Sequence, residues 1–87
     1  MKEKEESFLA AVLSFFSKWN YSYDSYHDED TFCIDVTMDS LDDCATHEDE
    51  IWRNLEELSK EWGAGVDSSG NKFYLGIKAE DEDEDLP

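Results

Sequence analysis

His27, Cys33, Cys44 and His47 carry the side-chain types that bind zinc, and the Cys44-x-x-His47 spacing suits half of a tetrahedral site. The other half does not follow. There is no CxxC knuckle, and Cys33 lies in the middle of a strand-like alternation, so four ligands have no evident way to converge. Calcium fares no better, because HDEDT and DSLDD lack the D-x-[DN]-x-[DN]-G loop and its distant glutamate. A Cys33–His47 or Cys44–His27 nucleophile pair has no motif to orient it. The GAG at 63–65 follows a helical pattern rather than opening one, so it does not cradle a phosphate. No nucleophile, base and orienting group can be named together, and the expectation is a protein that is not an enzyme and uses no metal or cofactor.

The remaining chemistry is carboxylate. The chain has 87 residues, with 24 Asp and Glu against 7 Lys and Arg, and a formal charge of −17. Residues 21–52 hold eleven acids and no Lys or Arg, in a stretch that also carries tyrosines and β-branched residues. Charge runs are usually solvated faces. A net charge this far from zero nevertheless opposes compaction, and a basic partner would compensate it. Direct nucleic-acid binding is disfavoured, since that affinity comes largely from Lys and Arg on phosphates. Anionic membranes are disfavoured for the same reason. Tyrosine rings stack on Arg while neighbouring carboxylates pair with it. The expected contacts are therefore Asp28, Glu29, Asp30, Asp42, Asp43, Glu48, Asp49 and Glu50, with Tyr23 and Tyr26 as anchors.

Those residues need elements to hold them. Phe8, Leu9, Val12, Leu13, Phe16 and Trp19 form a helical stripe over residues 4–19. Tyr21, Tyr23 and Tyr26 mark a short strand over 21–26, and HDED at 27–30 reads as a polar turn. TFCIDVTM alternates, with Phe32, Ile34, Val36 and Met38 on one face and Cys33, Asp35 and Thr37 on the other. DSLDDCA at 39–45 reads as a connector. Thr46 and Asp49 resemble a capping box ahead of Ile51, Leu55, Leu58 and Trp62, and Gly63 suits the helix end. A strand at 65–67, a turn at 67–71 and KFYLGIKA complete the pattern, with Phe73, Leu75, Ile77 and Ala79 on one face and Tyr74 off it.

The order α-β-β-α-β-β predicts an α+β fold with two helices on one face of a small antiparallel sheet. Residues 1–79 make one domain, and EDEDEDLP at 80–87 reads as a disordered acidic tail. MKEKEESFLAAVLSFFSKW has an apolar run too short and too interrupted for a membrane span or signal peptide. With two cysteines and no disulfide framework, the expected compartment is a reducing cytoplasm. A monomer and a dimer are both compatible with exposed edge strands.

In size, charge and α/β plan the whole chain resembles small acidic anti-defence proteins of bacteriophages. These include DNA-mimic inhibitors of restriction enzymes and of uracil-DNA glycosylase, and some anti-CRISPR proteins. The resemblance implies occupation of a basic nucleic-acid channel and inhibition of its owner. EIWRNLEELSKEWGAGVDSSGNKFYLGI, residues 50–77, also resembles the second half of the regulator of ribonuclease activity B family. TFCIDVTMDSLDD would supply the preceding strand and connector, and EDEDED the acidic tail. That resemblance implies a ferredoxin-like domain that binds and inhibits an RNA-processing endonuclease. In both cases the implied partner is a basic protein, a nuclease or another nucleic-acid-binding protein. An ordinary acidic interaction domain using an apolar patch is the remaining alternative.

Overall fold

The computed structural model describes residues 3–79; the acidic tail at 80–87 lies outside the described residues. Helix α1, Glu3–Phe16, buries Phe8, Val12 and Phe16 at i, i+4 and i+8. Its first turn carries Glu3, Glu5 and Glu6, which suit the positive end of the helix dipole. The helix ends earlier than its apolar stripe implies. Trp19 comes after it, with its amide donating to the Phe16 carbonyl at 3.0 Å. The indole still joins the stripe through ring contacts with Phe15 at 5.4 Å and Phe16 at 6.2 Å.

Strands β1, Tyr21–Asp28, and β2, Thr31–Met38, form a hairpin whose register runs from Tyr21 opposite Met38 to Asp28 opposite Thr31. Only Glu29 and Asp30 connect them, so His27 and Asp28 are strand residues and not part of a longer polar turn. Glu29 adopts a φ of 56°, a left-handed conformation that favours glycine. The second hairpin, β3 Gly65–Ser69 and β4 Lys72–Lys78, has the same two-residue connection, and there Gly70 takes the positive φ of 63°.

Residues 39–45 are not simply a connector. Leu41–Thr46 form a short helix, α2, capped by Ser40, whose side chain accepts from the Asp43 amide at 3.1 Å. The Thr46–Asp49 capping box does not form. Thr46 ends α2, and His47 takes the N-cap position of α3, Glu48–Trp62, without a side-chain bond. Helix α3 buries Ile51, Leu55 and Leu58 and stops at Gly63 in the left-handed conformation at φ 66°, as its sequence implies.

The sheet is antiparallel throughout, in the order β1-β2-β4-β3. Strand β4 lies between β2 and β3, so β2–α3–β3 is a split β-α-β unit. The central ladder places Phe32 opposite Ile77, Ile34 opposite Leu75, and Val36 opposite Phe73. Two backbone bonds close its ends: Met38 donates to the Asn71 carbonyl at 2.9 Å, and Ala79 to the Asp30 carbonyl at 2.7 Å.

The α+β architecture follows from these faces. Alternate residues of β2 and β4 are buried, and the helices cover that face. Phe16 of α1 meets Phe73 of β4 at 5.6 Å between ring centres, and Phe8 meets Trp62 of α3 at 5.5 Å. Glu5 is also buried in α1. Its carboxylate lies 2.9 Å from Nε2 of His27, whose ring lies tilted against Phe32 at 5.2 Å. No helix among the described residues is long and apolar enough to cross a membrane.

Candidate protein-binding surfaces

The ten expected contact residues do not form one surface. Asp28, Glu29 and Asp30 occupy the β1–β2 turn, whereas Asp42, Asp43, Glu48, Asp49 and Glu50 gather around α2 and the start of α3. These groups lie at opposite ends of β2, roughly 23 Å apart for its eight residues. Tyr23 and Tyr26 are the exposed aromatics of β1, 48% and 42% accessible, but they point to opposite faces of the sheet. Tyr23 shares the helix side with Tyr21, which it meets at 6.4 Å, and Tyr26 lies on the uncovered side.

The helix-elbow acids have a local reason to be there. Asp42 and Asp43 lie in the first turn of α2, and Glu48, Asp49 and Glu50 in the first turn of α3, where unpaired amides favour negative charge. Glu50 is the exception in function. Lys18 Nζ donates to it at 2.5 Å while lying over the Phe15 ring, and His47 Nδ1 is 3.5 Å away. The Lys18 hydrogen bond holds the Glu50 carboxyl below its ordinary range. Glu50 is thus engaged internally, whereas Asp42, Asp43, Glu48 and Asp49 have no ion pair among the described residues.

The uncovered face of the sheet collects a third set of acids. Register places Asp24 opposite Asp35, Asp35 opposite Tyr74, and Tyr74 opposite Asp67, making one row across all four strands. The next row is Tyr26, Cys33, Gly76 and Gly65. With two glycines in that row, the backbone lies bare between the Tyr26 and Tyr74 rings. The result is a shallow concavity of about 460 Å³ lined by Tyr26, Cys33, Asp35, Asp67, Tyr74 and Gly76. A second concavity of about 360 Å³ lies across Tyr74 and shares Asp35, with Asp24 and Lys72 at its margin. Lys72 and Lys78 sit on this face in the outer rows, and neither makes an ion pair with the aspartates.

The electrostatics of this face follow from the crowding. Tyr26 Oη donates a long hydrogen bond of 3.4 Å to Asp35 Oδ1, and the negative charge of Asp35 pushes the phenol above its ordinary value. Partial burial, then Asp28 and Asp35, push the Cys33 thiol up as well. Cys44 is buried beneath α2 with Sγ 3.7 Å from the Gly70 carbonyl, and its thiol is raised by burial and by Glu48. His27, Cys33, Cys44 and His47 stand in separate places: the helix side of β1, the uncovered face, the core, and against the tilted ring of Trp19 at 5.2 Å.

Asp24, Asp35, Asp67 and Gly76 were not among the expected contacts. The alternation of β2 already puts Asp35 on the uncovered side and Tyr74 off the buried face of β4. What the sequence pattern lacks is the register that sets Asp24 against Asp35 and lines both up with Asp67. No protein-family model matches the chain, and no curated protein matches it significantly.

Proposed function

We propose that this chain is a binding protein that occupies a basic, nucleic-acid-binding surface of an enzyme or effector complex and thereby inhibits it. The observation that carries this reading is the Asp24–Asp35 pair. Like charges directly opposite on one sheet face oppose folding, and no cation of the described chain pairs with either. A basic surface that docks there removes the repulsion. Carboxylates at the turn and at the helix elbow extend the negative field in two further directions. Repeated carboxylates on a rigid fold can stand in for the phosphates that such a surface normally holds.

The test is competition. The immobilised protein is exposed to bacterial lysate, and retained proteins are eluted either with nucleic acid or with stepwise salt. A nucleic-acid-binding enzyme released by nucleic acid, and inhibited by the free protein, supports the proposal. Retained proteins that ignore nucleic acid, or broad release of many basic proteins at low salt, overturn it.

A further inference from the structure

We propose that the concavity on the uncovered sheet face is the seat of an arginine side chain of the partner. The inference deepens the functional reading above, on which it rests, by naming the group the partner inserts.

The occupant follows from charge and shape together. The floor is the backbone of Gly76 with Cys33 beside it, and the walls are the rings of Tyr26 and Tyr74. A planar guanidinium stacks on an aromatic ring, and its forked donors reach two acceptors at once. Asp35 and Asp67 flank Tyr74 in the adjacent row, and Asp24 stands beyond Asp35. An ammonium group has the charge but neither the plane nor the fork, so lysine fits less well.

The floor also has little room to change. A Cβ built on Gly76 would lie 3.1 Å from the Thr31 Cγ2 atom and 3.9 Å from the Cys33 sulfur. A side chain there would crowd Thr31 and Cys33 on the neighbouring strand.

Other occupants are disfavoured by the same charge. A second copy of the chain brings a formal charge of −17 to a face that already repels itself, and residues 80–87 contain only acids among their charged groups. A nucleic acid brings phosphates to aspartates.

The experiment is an amide NMR titration of the full chain with the blocked peptide Gly-Arg-Gly-Arg-Gly, and with its lysine counterpart. The expected result is shifts concentrated at Cys33, Gly65, Tyr74 and Gly76, with arginine binding tighter than lysine. Tyr74→Ala or Asp35→Asn should each weaken arginine binding roughly fivefold to tenfold. Glu56→Gln, at an exposed position of α3, should leave it unchanged.

Shifts confined to the helix elbow or to the β1–β2 turn would overturn the proposal. So would equal binding of the two peptides, or perturbation of the same amides by self-association without peptide. If the groove fails while a nucleic-acid-binding enzyme is still captured and inhibited, the arginine seat falls and the functional reading stands. If the groove binds arginine but no nucleic-acid-binding enzyme is inhibited, the reverse holds.

Discussion

Asp24 and Asp35 face each other across the β1–β2 ladder, both on the side of the sheet that no helix covers. Directly opposed like charges cost a few tenths to about 1 kcal/mol. Asp24→Asn and Asp35→Asn should therefore each raise the free energy of unfolding by up to about that amount, read from denaturant melts at low salt. The same substitutions should weaken binding to a basic partner. Opposite signs for stability and affinity mark a residue kept for binding, and loss of stability in both variants would refute the repulsion argument.

Glu29 is the other residue that a stability argument alone would not choose. Its φ of 56° costs a non-glycine residue roughly 1–2 kcal/mol, and the equivalent position of the second hairpin is Gly70. Glu29→Gly should raise the melting temperature. Glu29→Ala controls for the lost charge, since it keeps the strained conformation, and it should recover little of the gain. Equal effects from the two substitutions would assign the change to charge and not to backbone.

Acid should loosen the contact at Lys18–Glu50 between the α1–β1 connection and α3. The Glu50 carboxyl is held below its ordinary value of 4.5, first by the Lys18 hydrogen bond. A group depressed in the folded state contributes stability that is present above its unfolded value and is lost as pH falls through its folded value. The difference in stability between the wild type and Glu50→Gln should be fully present above pH 4.5 and vanish once pH has fallen below the depressed folded value. The pair is exposed, so the difference should be small and should shrink in salt. Denaturant melts at several pH values read it directly, and a gap that widens on acidification would contradict the assignment.

Cys33 offers a reporter on the uncovered face. Burial and the Asp28 and Asp35 carboxylates raise its thiol, so little thiolate exists at neutral pH. Alkylation by iodoacetamide, followed by mass spectrometry, should be slower than for a free cysteine and should accelerate as pH rises. Cys44, buried beneath α2, should be slower still. A partner seated between Tyr26 and Tyr74 should protect Cys33 further, and alkylation unaffected by a bound partner would place the contact elsewhere.

Much of this fold was legible because its strongest patterns are local. The stripe of Phe8, Val12 and Phe16, the face of Ile51, Leu55 and Leu58, and the alternation of β2 each set an element and its buried side. The six-residue α2 escaped because a helix of under two turns shows no periodicity. Its Ser40-x-x-Asp43 cap was written in DSLDD all the same.

The row of aspartates escaped for a different reason. A four-residue turn at 27–30 would set Tyr26 against Thr31 and Asp24 against Cys33. The two-residue turn shifts the register by two and brings Asp24 to Asp35. Glutamate at a left-handed position is poor turn chemistry, so the sequence disguised that tight turn. The order β1-β2-β4-β3 depends on a pairing between distant strands that no local pattern specifies.

The closure of the central ladder gives the molecule an approximate dyad through the Ile34–Leu75 pair. It exchanges Phe32 with Phe73 and Val36 with Ile77, and it maps the Met38–Asn71 bond onto the Ala79–Asp30 bond. The backbone thus offers two equivalent hairpin tips, but their decoration is unequal. One tip is Glu29–Asp30, exposed and negative; the other is Gly70–Asn71, uncharged and held against Cys44 of α2. A twofold scaffold could be approached equally from either end. Charge placed on a single tip, with α2 guarding the other, breaks that equivalence and gives the molecule a direction in which to be read.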